Sequence, residues 1–472
     1  MRFAVAVVVG LVGGAVGRAE SAEWGNLPQV PPQTPARPNV VFILADDLGR
    51  HDCGFMGGTQ IKTPHLDKLA AAGTKLDAFY VQPVCSPTRA ALMTGRYPMR
   101  HGLQVGVVRP WAQYGLPLEE RTLAQALKES GYRTAVVGKW HLGHFAPEYL
   151  PTRRGFDRQY GHYNGALDYY THVRDGGFDW HRDDKACRDE GYSTHLLAKE
   201  AAGIVRDHDA TKPLFLYVPF NAVHAPHQAP DEYLKRYPNL TGERKKYSAM
   251  LTAMDDAVGQ IVAEVDRRGM RKDTLFVFSS DNGGPQPGVV TDNGKLRAGK
   301  GTLYEGGVRV AAFATYDGHI KPGGTTTEPI HMVDWYPTLL KLCGAKAEQK
   351  LPVDGTDVWP AIAEGKPLPP RTILVNTTPN NGAVRNGDWK LVVRDGPDDA
   401  DGGVPKKDGK RSVELFNLKD DPFEKANVAD ANAAKVKELR EALAAFAKHA
   451  VPPKAKPKPK DFVTPKVWGE KD

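Results

Sequence analysis

Four strand-length runs of apolar residues each stop on polar residues suited to chemistry. Val40-Val-Phe-Ile-Leu44 leads to Asp46-Asp47, and Thr134-Ala-Val-Val137 leads to Lys139-Trp-His141. Pro213-Leu-Phe-Leu-Tyr-Val218 is followed by His224, and Thr274-Leu-Phe-Val-Phe278 by Asp281-Asn282. Unbroken apolar runs are what strands buried on both faces require, and such strands belong to parallel sheets covered by helices. In open sheets of that kind ligands bind outside the carboxyl ends of the strands. One polar cluster would mark a turn; four at equivalent ends point to one shared site.

Helical patterns separate the runs. Thr63-Pro64 reads as an N-cap and first helical position, with Leu66, Leu69 and Ala70 on one face and Gly73 as the stop. Thr122 to Ser130 is a second helix, ended by Gly131. Tyr247 to Arg268 carries Met250, Met254, Val258, Ile261 and Val265 at helical spacing, with the methionines as core filler. Asp334 to Leu342 is a further helix. After residue 365 the texture changes to the short strands Arg371–Val375, Trp389–Val393 and Val413–Phe416, then a helix from Ala433 to Lys448. The fold class expected is α/β: a large mixed, mostly parallel sheet flanked by helices, plus a small C-terminal α+β domain with an antiparallel sheet. The divisions expected are a leader over 1–19, a catalytic domain over 36–365, an α+β subdomain over 366–450 and a Pro/Lys-rich tail over 451–472.

A chain of 472 residues exceeds the usual single-core limit, which agrees with two domains. Arg2, the apolar run Phe3 to Val16 and the small residues up to Ala19 have the layout of a secretory signal peptide, and no later stretch reaches membrane-spanning length. A secreted or periplasmic protein without stable membrane insertion is therefore expected. The net charge of +7 is modest and partly local, because Lys454-Ala-Lys456-Pro-Lys458-Pro-Lys460 concentrates four positive charges. That stretch reads as a solvated tail rather than a nucleic-acid arm, and no nucleic-acid partner is expected. The mild positive balance also suits an anionic polymer as substrate.

Asp46, Asp47, Asp281 and Asn282 are hard oxygen donors with no histidine among them. Such a set suits calcium or magnesium, whereas zinc calls for His or Cys. Adjacent carboxylates repel one another unless a cation lies between them. Asp-Asp and Asp-Asn-Gly-Gly are also turn sequences, and singly the turn reading prevails; together they favour a metal site. Lys139, His141, His224 and Lys300 form a second set, able to clamp anionic oxygens and to move protons.

Cys85-Ser-Pro87-Thr-Arg89 is followed at fixed offset by Thr94-Gly95-Arg96. C-x-P-x-R alone arises by chance in about one chain in a hundred of this length. The bland alternative is a small buried thiol at a helix start. The block resembles the activation motif of type I sulfatases. N-V-V-F-I-L-A-D-D-L-G, T-P-H-L-D-K-L-A-A-A-G, G-K-W-H-L-G, P-T-R-R-G-F-D, S-D-N-G-G and E-G-G-V-R follow in the family's order. They resemble in particular the arylsulfatase B (N-acetylgalactosamine-4-sulfatase) branch of the alkaline phosphatase superfamily, over about Pro38 to Trp359.

That resemblance implies a sulfuric ester hydrolase in which Cys85 is oxidised to formylglycine by a maturation enzyme. One calcium ion is implied, held by Asp46, Asp47, Asp281 and Asn282 with the modified Cys85. Arg89 then steadies the formylglycine hydrate, Lys139 bridges it and the sulfate, and His141 deprotonates its second hydroxyl. His224 and Lys300 bind sulfate and assist the leaving group, with Lys295 as a competing candidate for Lys300. A geminal diol leaves a second hydroxyl to release sulfate by elimination, which a serine ester lacks. The expected substrate is a sulfated sugar of a glycosaminoglycan or algal polysaccharide, or an aryl sulfate. The runner-up is a phosphodiester or phosphonate monoester hydrolase using the same formylglycine; a non-enzymatic glycan-binding protein ranks below both, since no site residue is missing. If Cys85 is converted, at most one disulfide can form among Cys53, Cys187 and Cys343. Tyr169, Tyr170 and Trp180 are candidates for a sugar pocket, although aromatic residues in such loops more often pack, and Asn239-Leu-Thr241 and Asn376-Thr-Thr378 are glycosylation sequons in a eukaryotic host.

Overall fold

Alternate residues of the first strand, Asn39–Ala45, enter two different hydrophobic clusters: Val40, Phe42 and Leu44 one, Val41, Ile43 and Ala45 the other. Both faces of the sheet are therefore covered, which is why the run is apolar throughout. The structure, a computed structural model, describes Met1 and residues 37–375, 381–394 and 412–470. The leader expected over 1–19 and the sequon at Asn376 lie outside these residues. From Arg37 onward the chain forms one compact unit.

The main sheet has ten strands: Asn39–Ala45 (β1), Thr74–Leu76 (β2), Arg133–Lys139 (β3), Arg158–His162 (β4), His181–Arg182 (β5), Lys185–Ala186 (β6), Leu214–Pro219 (β7), Thr274–Ser280 (β8), Ala312–Thr315 (β9) and Gly324–Thr326 (β10). Their order is β10-β2-β9-β8-β1-β7-β3-β4-β5-β6. The five central strands, β8 to β4 in that order, are parallel; β9 and β5 join on either side in antiparallel pairing. The helices Pro64–Ala71 (α1), Ser193–Arg206 (α4) and Gly242–Arg267 (α5) cover one face, while Cys85–Thr94 (α2), Leu123–Glu129 (α3) and Trp335–Leu342 (α6) cover the other. The expected capping at Thr122 takes the form of a capping box with Gln125. Thr63 instead accepts from Gly54 N–H and donates to Asp67.

Near the site the backbones approach too closely for side chains. A Cβ at Gly138 in β3 would stand 2.0 Å from Pro219 O of β7, at φ 138°. Gly95 ends α2 at φ 67°, its N–H donating to Ala91 O. This accounts for the T-G-R part of the cysteine motif: it stops the helix.

A second sheet consists of Thr372–Val375 (β11), Asn381–Asn386 (β12), Trp389–Arg394 (β13) and Ser412–Asn417 (β14), all antiparallel. The sequence indicated three of these strands; β12, with Asn and Gly in its run, is held by partners on both sides. One face of this sheet and the helix Ala433–Ala447 (α7) continue the main core through Leu374, Leu391, Leu439 and Leu443. Its other face carries the buried Lys390, which pairs with Glu305 at 2.9 Å and Glu424 at 2.8 Å. Glu305 opens the E-G-G-V-R segment and also accepts from Tyr80 Oη at 2.8 Å. Removing one partner of a buried ion pair strands the other charge. Lys390→Ala is accordingly expected to lower stability by about 3–5 kcal/mol in denaturant titration, and a shift within experimental error would show that this contact does not hold the two sheets together.

Candidate functional site

The parallel strands end at one level: Ala45 pairs with Ser280, Leu44 with Pro219 and Lys139 with His162. The residues that follow therefore converge. Asp46 N–H donates to Ala222 O at 3.0 Å and Asp47 N–H to Asp281 Oδ1 at 3.3 Å. Asp47 and His141 adopt left-handed backbone conformations, φ 61° and 58°, which aim their side chains into the hollow rather than along the strands. Such conformations in non-glycine residues concentrate at functional sites.

Cys85 is the first residue of α2, whose ten residues are all buried. Its Sγ lies 3.6 Å from Asp46 Oδ1 and 3.7 Å from Lys300 Nζ. One turn on, fully buried Arg89 donates to Asp281 Oδ2 at 2.8 Å and to Lys139 O at 2.9 Å. Lys139 Nζ is paired with Asp46 Oδ2, and Lys300 Nζ with Asp47 Oδ1 at 2.6 Å. Three carboxylates and three cations thus lie paired around one sulfur atom. Single ligand atoms from Asp46, Asp47, Cys85 and His224 all fall within 4.8 Å of one another. Asn282 Nδ2 donates to Asp47 Oδ1 at 2.7 Å, while its buried Oδ1 has no partner. Lys295, the competitor of Lys300, instead stands 5.9 Å over the Phe423 ring.

Electrostatics divides the groups by role. Burial and the neighbouring Asp281 push the Asp46 carboxyl up to about 7. Burial alone would raise Asp47 as well, but Lys300 and His224 pull it below the usual carboxylate range. Burial, then Asp281 and Asp46, pushes the Cys85 thiol up, so the unmodified side chain is no thiolate nucleophile. Burial, then Lys139 and Arg89, pushes His141 well below its ordinary range. Its Nε2 donates to Val108 O at 3.0 Å, leaving Nδ1 a neutral lone pair without a partner. Burial and the nearby lysines push His224 down to about 3; its Nδ1 donates to Ala225 O at 2.6 Å, so Nε2 faces Asp47 Oδ2 at 3.5 Å.

Sequence reasoning overlooked two supports. Ser86, inside the cysteine motif, donates to His141 O at 2.8 Å and accepts from Val108 N–H at 3.0 Å, fixing both sides of the imidazole's segment. Tyr169 is only 1% exposed, and its hydroxyl donates to Asn221 O at 2.7 Å and His224 O at 2.8 Å. It clamps the turn that carries His224 and does not line a sugar pocket. Trp180 is 0% exposed and unavailable to any ligand, whereas Tyr170 is 42% exposed. None of the four cysteines is in a disulfide.

The Sulfatase family profile matches residues 38–345, a span that contains every residue of this hollow. The chain belongs to the sulfatase family. It is 38% identical to mouse arylsulfatase J over 92% of this chain and 80% of that protein. It is 37% identical to human arylsulfatase A over 69% and 68% of the two chains, and 34% identical to rat N-acetylgalactosamine-6-sulfatase over 70% and 67%. Among solved structures, Ps i-CgsB superposes with a TM-score of 0.80 at 33% identity, covering 88% of this chain and 94% of its own. That sulfatase-like fold has also been solved in complex with k-i-k-neocarrahexaose, where the TM-score is 0.79 at 32% identity over 88% and 94%. The large mixed sheet with its small antiparallel companion is the fold of these neighbours, and the protein is a sulfuric ester hydrolase.

Tyr169→Phe keeps the ring packing and frees the His224 turn. A buried hydrogen bond contributes about 1 kcal/mol, so the melting temperature should move little. Turnover, kcat, is expected to fall about ten-fold with KM nearly unchanged, measured on an aryl sulfate; an unaltered kcat would mean the clamp has no bearing on the reaction.

Proposed function

We propose that this sulfatase removes sulfate esters from a sulfated carbohydrate, using a formylglycine made from Cys85 beside one calcium ion. The observation that carries the reading is the position of Cys85 Sγ, at a helix N-terminus between the Asp46 carboxylate and the Lys300 ammonium. A hard dication fits the residues present. Asn282 Oδ1 is a buried acceptor with nothing to accept from, and oxygens of Asp46 and Asp47 lie within 4.8 Å of each other and of Cys85 Sγ. Asp46, Asp47, Asp281 and Asn282 would hold the ion, with the modified residue 85. When bound, calcium supplies positive charge at the nucleophile and the sulfuryl oxygens. The modified residue supplies a hydrated aldehyde as nucleophile.

The other residues have tasks of their own. Three cations balance three carboxylates in the hollow, so a dication tips it to net positive and attracts a sulfate monoester anion. Lys139 and Lys300 are then placed to donate to sulfuryl oxygens, and the N-terminus of α2 adds its partial positive charge. Arg89, bound to Asp281 and to Lys139 O, holds the helix and the strand end in register. His141 offers the Nδ1 lone pair as a base, and His224, whose Nε2 faces Asp47 Oδ2, can assist a leaving oxygen only once that nitrogen carries a proton. The relatives' printed names, with the oligosaccharide bound to Ps i-CgsB, support a sulfated glycan as substrate. The sequence layout of residues 1–19 supports export to the periplasm or outside the cell, and a formylglycine-generating enzyme is the required maturation partner. Among the described residues no helix is long and apolar enough to cross a membrane.

Peptide mass spectrometry across residue 85 tests this reading. Active protein should carry an aldehyde in place of the thiol, and Cys85→Ala should abolish hydrolysis of nitrophenyl sulfate while leaving the thermal melt intact. A thiol in fully active protein would overturn the formylglycine reading, and faster turnover of a phosphodiester than of nitrophenyl sulfate would favour the phosphohydrolase.

A further inference from the structure

The lysine run Lys454-Ala-Lys456-Pro-Lys458-Pro-Lys460, which the proposed chemistry leaves unused, is tied along the body of the protein. Before it, Val451 N–H donates to Met99 O at 2.9 Å and Val451 O accepts from Gln104 Nε2 at 2.7 Å. Lys454 N–H donates to Gly102 O at 2.8 Å, and Trp111 Nε1 donates to Lys456 O at 3.2 Å. Beyond it, Phe462 stacks on the buried Trp468 with ring centroids 6.2 Å apart, and Trp468 N–H donates to Phe178 O at 2.9 Å. Alternating prolines keep such a stretch extended, so the backbone is docked while the lysine side chains stand out. Lys456, Lys458 and Lys460 are exposed, and none forms an ion pair among the described residues.

Aromatic surface lies among these charges. Lys458 Nζ is 5.9 Å from the Trp111 ring centroid and 5.3 Å from that of Phe462, and the Arg109 guanidinium is 5.8 Å from Trp111. The loop that carries Arg109 and Trp111 also braces the catalytic hollow. Val108 O accepts from His141 Nε2 at 3.0 Å and Pro110 O from His144 Nε2 at 3.1 Å. Three residues span at most about 11 Å, so Trp111, on which the strap docks, lies within that reach of the backbone that holds His141.

We propose that the Lys456–Lys460 strap and the Arg109–Trp111 loop form a subsite for sulfate groups flanking the ester under attack, which makes the substrate a multiply sulfated polysaccharide. The proposal rests on the sulfated-carbohydrate reading above. Cations bind the flanking sulfates, and the half-buried indole of Trp111 offers an edge to the apolar face of a sugar ring. Other polyanions, such as nucleic acid or an anionic membrane, offer charge to match the lysines, but neither has reason to thread toward His141.

The triple variant Lys456→Gln, Lys458→Gln, Lys460→Gln changes exposed side chains only and should fold like the parent protein by thermal melt. On a highly sulfated polysaccharide its KM is expected to rise about ten-fold at low salt, with kcat preserved, as loss of electrostatic focusing predicts. Added salt should erase the difference between variant and parent, because it screens exposed charges. Turnover of nitrophenyl sulfate should be the same for both. An unchanged KM on the polymer would overturn the subsite, as would a variant that loses DNA or anionic-vesicle binding while its polymer KM stays put. If the parent hydrolyses nitrophenyl sulfate but no sulfated polysaccharide, the carbohydrate reading fails, and not the strap alone.

Discussion

Three ion pairs buried at the carboxyl ends of parallel strands set the terms for everything around them. Lys139 with Asp46, Arg89 with Asp281 and Lys300 with Asp47 lie where water is largely excluded. Charges in such surroundings are tolerated only when each has a partner, because desolvation costs several kcal/mol per ion. The fold must therefore bring six side chains from five separate segments to one place. It does so by ending β1, β3 and β8 at one level, starting α2 beside them, and folding the Gly-rich loop after β8 back so that Lys300 reaches Asp47. A buried cluster of this kind is weak as a source of stability and strong as a preset electrostatic environment.

Much of the remaining structure serves that convergence. Gly138 lets β3 and β7 approach closely enough to put Lys139 and the His224 loop side by side. The left-handed backbone at Asp47 and His141 turns both side chains inward. The C-terminal sheet reaches the same region from behind, since Lys390 grips Glu305, whose helical turn lies just after the Lys300 loop. The E-G-G-V-R segment is thus a structural joint between the two sheets rather than part of the reacting centre.

The sequence made the strands, their polar ends and the cysteine motif legible because each follows a local rule: apolar runs for buried strands, a proline and glycine framing α2. Helix ends agreed to within a residue or two where caps and glycines stood, as at Thr122 and Gly131. What stayed hidden depends on contacts distant in the chain. Lys300 is assigned in sequence with Lys295 as a competitor, because the chain around Leu296–Lys300 can turn either way, and the pairing with Asp47 is what separates them in space. Tyr169 lies in an aromatic stretch that in sequence could either line a sugar pocket or pack, and it packs inward to hold a turn 52 to 55 residues away. Trp180 is buried for the same reason: β5 brings it back against Tyr160 and His172. The strand β12 carries no strand signal and exists by virtue of its neighbours.

The account turns on the carboxylates being gathered for a cation and not only for the lysines that touch them here. A crystal grown with calcium, or soaked with a lanthanide in its stead, measures this directly through anomalous scattering. One strong peak bounded by oxygens of Asp46, Asp47, Asp281 and Asn282, with Lys139 and Lys300 moved off their carboxylates, is the predicted result. A hollow without such a peak, its three ion pairs intact at saturating metal, would contradict it.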